Sequence, residues 1–128
     1  MDMINTIGRR KASVARVYMK AGTGAIIVNG KDYKDYFPVP NMQLTITDPF
    51  TTVETDGQYD IKANVKGGGF KGQAEAIRMG IARALVQVNE DFRKPLKAKK
   101  YLMRDARVVE RKKYGKPKAR KSFQFSKR

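Results

Sequence analysis

QYDIKANVK at residues 58–66, GGGFKG at 67–72 and QAEAIRMGIARALVQV at 73–88 run consecutively and carry two different hydrophobic periods. In the first segment Tyr59, Ile61, Ala63 and Val65 alternate with Asp60, Lys62, Asn64 and Lys66. Side chains of a strand point alternately to opposite faces, so the segment predicts a half-buried strand with a polar outer side. In the third segment Ala74, Ile77, Ile81, Leu85 and Val88 recur at spacings of three and four. That spacing draws an apolar stripe along a helix of about 24 Å, with Arg78 and Arg83 off the stripe. A helix laid over one side of a small sheet is a two-layer α+β arrangement. The polar side of the sheet, or its edges, is then free for a partner.

The glycine segment between strand and helix satisfies G-x-G-x-x-G, with Glu90 and Asp91 about 20 residues further on, the setting of a dinucleotide-binding fingerprint. The strand before it argues against a nicotinamide-dependent oxidoreductase, because strands of a parallel sheet covered on both sides are nearly all apolar. Glu90 and Asp91 fall just past a helix end, and too little chain follows to complete a doubly wound sheet. Two readings of the glycines stay open. They form a turn that lets helix and sheet approach closely, or they let a phosphate backbone approach the helix N-terminus between Lys66 and Lys71.

Ahead of this unit, residues 13–20 and 24–29 are rich in β-branched and aromatic side chains and are separated by the turn-forming Ala21-Gly22-Thr23-Gly24, which predicts a hairpin. Asn29-Gly30 predicts a further turn. Asp32 is placed to cap a short helix carrying Tyr33, Tyr36 and Phe37, whose rings are expected to pack against the sheet. Residues 41–50 hold Met42, Leu44 and Ile46 and fit a helix or a strand equally well. Near the N-terminus Gly8-Arg9-Arg10-Lys11 sets three positive charges just before the strand at 13–20, a candidate phosphate patch.

The chain has 128 residues, 28 Lys and Arg against 12 Asp and Glu, and a formal charge of +16. One domain fits this length and a second does not. With no Cys and no His there is no disulfide framework, no thiolate metal site and no histidine base, so most metal, thiol and triad mechanisms are excluded. The longest apolar run, residues 25–28, is far below the roughly 20 residues of a membrane span, and a soluble intracellular protein is expected. The charge is uneven. Residues 1–92 hold 12 basic and 10 acidic side chains, whereas residues 93–128 hold 16 and 2. A globular domain over 1–101 and an extended basic tail over 102–128 follow, because the tail has few apolar side chains to offset backbone ordering at roughly 1 to 2 kcal/mol per residue. Its Lys and Arg side chains interleave with Tyr114, Phe123 and Phe125, which suit base stacking while the cations meet phosphates. A membrane role is disfavoured, since the tail has neither an amphipathic apolar side nor a prenylation cysteine. A DNA-binding architectural protein shares this charge signature.

In combination, Gly8-Arg9-Arg10-Lys11 with Val14-Ala15-Arg16-Val17, then Val28-Asn29-Gly30, Gly67-Gly68-Gly69 through Gly72-Gln73 to Gly80-Ile81-Ala82-Arg83-Ala84-Leu85, Arg104-Asp105-Ala106-Arg107 and the terminal Ser126-Lys127-Arg128 resemble the family of the ninth protein of the small ribosomal subunit, of the bacterial type. The resemblance runs in order along essentially the whole chain. It implies a small α+β domain with a left-handed β-α-β crossover, seated on ribosomal RNA in the head of the small subunit beside neighbouring head proteins, in the cytoplasm. It implies no catalytic residue, metal, cofactor or small-molecule substrate. The candidate ribosomal RNA contacts are Arg9, Arg10, Lys11, Lys66, Lys71, Arg104, Arg107, Arg111, Lys112, Lys113, Tyr114, Lys116, Lys118, Arg120 and Lys121. The resemblance further implies that the tail threads through RNA and that Ser126, Lys127 and Arg128 approach the anticodon stem-loop of transfer RNA in the peptidyl site, with Arg128 the phosphate contact.

Overall fold

The computed structural model describes residues 3–10 and 12–102. Along the chain these residues form β1 (Ile4–Arg10), β2 (Ser13–Ala21), β3 (Ile26–Val28), β4 (Lys31–Asp32), α1 (Tyr33–Tyr36), α2 (Pro40–Thr52), β5 (Tyr59–Lys66), α3 (Phe70–Val88), a single 3-10 turn (Glu90–Phe92) and α4 (Arg93–Ala98). The strands build one mixed sheet in the order β1-β2-β5-β3-β4, in which only β3 and β5 are parallel. That pair is joined through β4, α1 and α2, a β-α-β crossover. The expected α+β class holds.

The alternation at 58–66 is realised in β5: Ile61, Ala63 and Val65 are buried, and Lys62, Asn64 and Lys66 are exposed. The expected hairpin between 13–20 and 24–29 is not formed. β5 lies between β2 and β3, pairing Val17 with Ala63 on one side and Val28 with Ala63 on the other. The turn chemistry is present but serves a different end. Asp60 of β5 accepts hydrogen bonds from the amides of Thr23, Gly24 and Ala25 at 3.0, 3.1 and 3.0 Å, so the turn wraps around a β5 side chain and carries the chain across a strand position. These amides, Ala25 foremost and then Thr23, hold the Asp60 carboxyl below the usual carboxylate range.

Asn29 and Gly30 both have positive φ, 50° and 84°, as a tight turn between β3 and β4 requires. The Asn29 side chain donates to the Val65 carbonyl and accepts from the Val65 amide, both at 2.9 Å, which prolongs the β3–β5 pairing beyond the last residue of β3. Asp32 caps α1 by accepting from the Lys34 amide, as expected. Phe37 is fully buried and meets Tyr36 edge-on with ring centroids 4.7 Å apart. The ambiguous segment at 41–50 is helical. Proline suits the first helical position, Pro40 occupies it, and the inner side of α2 buries Ile46, Pro49 and Phe50.

Helix α3 begins at Phe70, earlier than the stripe indicates, and it is buried on more than one side. It lies between the sheet and α2, so Ala76, Gly80 and Ala84 are enclosed along with the expected Ala74, Ile77, Ile81 and Leu85, whereas Val88 is 36% exposed. The close approach occurs at Gly8 and Gly80, where β1 and α3 meet backbone to backbone. α3 also covers the free edge of β1: Arg83 donates to the Ile7 carbonyl at 2.7 Å, and the Arg9 amide donates to the Met79 sulfur at 3.3 Å. Thr6 Oγ1 donates to the Gly80 carbonyl at 2.6 Å. An edge satisfied in this way is closed to strand addition.

After α4 the chain returns to the core through Tyr101, which is 8% exposed. Its hydroxyl donates to Asp48 of α2, and its ring lies under the Arg78 guanidinium of α3 at 4.5 Å from the centroid. Burial, and then the Asp48 carboxylate, push the Tyr101 phenol up to about 12. A tyrosine whose pKa rises on folding stabilises the fold fully below its unfolded value near 10 and loses that contribution as pH rises toward 12. Accordingly, the difference in phenolate absorbance between wild type and Tyr101→Phe is expected to titrate near 12. The substitution itself is expected to cost about 1 to 2 kcal/mol in urea unfolding, because Asp48 loses its donor.

Candidate nucleic-acid interface

The strand register decides which side chains share the outer side of the sheet. Residues paired directly across neighbouring strands point the same way, so the outer side reads as rows. Arg9, Val14 and Lys66 form one row; Ile7, Arg16 and Asn64 the next; Asn5, Tyr18, Lys62 and Ile27 a third; Lys20 and Asp60 a fourth. Neighbouring strands are about 4.8 Å apart and alternate residues along a strand about 6.8 Å apart, so the rows gather five cations within roughly 10 by 20 Å. Arg9, Arg16, Lys20, Lys62 and Lys66 are all exposed. Val14, Ile7, Ile27 and Tyr18 are half-buried between them and form an apolar floor with one ring. Asp60 is the acid among them on strands β1, β2 and β5, and its carboxylate is bound by the three turn amides. No described helix covers this side, because α2 and α3 both pack on the opposite one.

Of the residues singled out from sequence, Arg9 and Lys66 come together here, both opposite Val14. Lys71 is exposed in the first turn of α3. Arg10, one residue out of phase with Arg9, turns to the helix side, where its Nε meets Glu75 at 2.5 Å and ties β1 to α3. Arg9 and Arg10 are thus the last residues of a strand rather than a lead-in to one. Lys11 and all the predicted contacts at 104–128 lie outside the described residues. Arg16, Lys20, Lys62 and Tyr18 join Arg9 and Lys66 on the outer side of the sheet. Their alternation is visible in the sequence, but only the register shows that β1, β2 and β5 stand side by side and pool their outer rows.

The glycine turn is a close-packing device. Gly67 and Gly68 have φ of 83° and 64°, and a Cβ on either would stand 2.4 Å from the Ala12 carbonyl oxygen or from Ser13 Oγ. Ser13 Oγ donates to the Gly67 carbonyl at 2.8 Å, and Gln73 Nε2 donates to the same oxygen at 3.2 Å. Gly69, which precedes α3, has open space around it. β5 is antiparallel to β2 on one side and parallel to β3 on the other, unlike the all-parallel sheet that a dinucleotide fingerprint accompanies.

The family described as ribosomal protein S9/S16 matches the chain over residues 8–128. The chain belongs to this family. Relatives agree along their full length. Small ribosomal subunit protein uS9 of Cytophaga hutchinsonii is 59% identical, that of Amoebophilus asiaticus 57% and that of Porphyromonas gingivalis 54%, each over 128 residues that cover 100% of both chains. Membership of the ribosomal S9/S16 family makes the chain a structural protein of the small ribosomal subunit and not an enzyme. Among the described residues, no helix is long and apolar enough to cross a membrane.

Proposed function

We propose that this protein holds ribosomal RNA in the head of the small subunit of cytoplasmic ribosomes by two devices, the open side of the sheet and the basic segment at 102–128. The observation that carries the proposal is the pooling of Arg9, Arg16, Lys20, Lys62 and Lys66 on a side of the sheet that no described helix covers, in a family whose match extends through the basic segment. Phosphate neutralisation dominates the affinity of such a surface. Lys71, exposed in the first turn of α3, is a further candidate contact.

The 27 residues from 102 onward span roughly 90 Å when extended, against a radius of gyration near 13 Å for a domain of about 100 residues. That reach supports contact of Ser126, Lys127 and Arg128 with transfer RNA in the peptidyl site, with Arg128 on a phosphate. Deletion of 126–128 tests it. Small subunits assembled with the shortened chain are expected to retain the protein and to release peptidyl-site transfer RNA faster. An unchanged dissociation rate counts against the contact.

A further inference from the structure

We propose that the outer side of α2 is a protein-docking strip, occupied in the assembled small subunit by a basic segment of a neighbouring protein that carries an apolar side chain. The first observation is a reversal of charge. Residues 35–61 contain Asp35, Asp48, Glu54, Asp56 and Asp60 and no Lys or Arg, within a chain of net charge +16. Three of these acids accept hydrogen bonds within the fold, Asp48 from the Tyr101 hydroxyl, Asp60 from the turn amides and Asp56 from Thr51 Oγ1. Asp35, Glu54 and Asp56 are exposed.

The second observation is apolar exposure at helical spacing. With Ile46, Pro49 and Phe50 buried on the inner side, α2 turns Pro40, Asn41, Leu44 and Thr51 outward. Leu44 is 66% exposed, and Val39 just before the helix is 45% exposed. The strip is apolar at its start and acidic at its end, where Thr51 Oγ1 donates to Asp56 at 3.0 Å and Glu54 follows. It lies on the helix layer, away from the basic side of the sheet. Phosphates are repelled by such a surface, whereas Lys and Arg are drawn to it.

The third observation is a recess of about 70 Å³ that shares Asp56 with the acidic end of the strip and opens between α2 and the end of the sheet, where Ile26, Tyr33, Thr47, Phe50 and Tyr59 line it. Phe50 and Tyr59 are stacked with centroids 6.4 Å apart. A carboxylate beside aromatic side chains suits the head of a Lys or Arg, which is attracted by the charge and by the rings, and Tyr33 already carries the Lys34 ammonium 5.9 Å from its ring centroid. The occupant therefore places an aliphatic or aromatic side chain over Leu44 and Val39 and a cation in the recess.

The test places the photoreactive residue p-benzoylphenylalanine at position 44 of the full chain, assembles it into small subunits, and identifies the crosslinked species. A crosslink to a Lys- and Arg-rich segment of another subunit protein is the expected result. A crosslink to RNA, to residues 103–128 of the same chain, or to a neutral or acidic protein segment overturns the proposal, and so does the absence of a crosslink both there and from the same probe at the exposed Asn41. Adding Asp56→Lys, an exposed charge reversal, is expected to lower the crosslink yield roughly tenfold, as like charges in contact require. An unchanged yield overturns the assignment of the recess to a cation.

Discussion

Gly8→Ala is expected to cost on the order of 3 to 5 kcal/mol, most of the stability of a domain of this size. A Cβ at position 8 would lie 1.8 Å from the Ala76 carbonyl oxygen and 2.6 Å from the Gly80 nitrogen. Both are helix backbone, and no side-chain rotation relieves the overlap, so α3 must lift from β1. That movement also breaks the bonds of Thr6, Arg9 and Arg83 that close the edge of β1. Urea unfolding of the full chain measures the loss. Gly69→Ala is the control: nothing stands near that position and its φ of −94° suits any residue, so only the modest N-cap preference for Gly over Ala, about 1 kcal/mol, is expected to be lost. Equal costs at the two positions would refute the backbone-contact explanation.

Replacing Arg9, Arg16, Lys62 and Lys66 together by Ala is expected to reduce the salt dependence of ribosomal RNA binding by roughly three units, at about 0.7 to 0.9 for each phosphate that is no longer neutralised, and the affinity by roughly 100-fold at moderate salt. The fold is expected to survive, since all four side chains are exposed on the open side of the sheet. A second variant, with exposed Lys31, Lys34, Lys94 and Lys97 changed to Ala, removes the same charge from elsewhere. If the surface binds as a unit, the second variant keeps most of the slope. Equal reductions in the two variants would mean that net charge alone governs binding, and an unchanged slope in the first would remove the sheet from the interface. Competition by duplex DNA in the same titration separates RNA recognition from general polyanion binding.

The parts of the fold legible in the sequence were those fixed by local periodicity. β5 declares itself by alternation, the body of α3 by its stripe, and the start of α1 by the Asp32 cap. The segment at 41–50 is not legible, because its few apolar residues Met42, Leu44 and Ile46 alternate as in a strand while Pro40 suits a helix start, and burial of Ile46, Pro49 and Phe50 settles it as helix. β1 is not legible for a related reason. Its inner side presents Thr6 and Gly8 rather than large apolar residues, because α3 presses its backbone into that space.

The candidate site divides in the same way. Arg9, Lys66 and Lys71 could be named from sequence as members of basic clusters, but the pairing of Arg9 with Lys66 across Val14, and the recruitment of Arg16, Lys62 and Tyr18, needed the strand order. The hairpin expected from Ala21-Gly22-Thr23-Gly24 failed on the same point. A turn fixes the direction of the chain locally, and nothing in those residues reveals that Asp60, some 36 positions later, will draw their amides around itself. The sequence by itself determined the charge division between residues 1–92 and 93–128, the family, and every element whose side chains repeat at a strand or helix period, because these depend on neighbours along the chain. The tertiary structure alone decided that β5 separates β2 from β3, that Arg9 faces outward while Arg10 binds Glu75, and that five cations share one side, because pairing register and face are set by contacts between residues far apart in sequence.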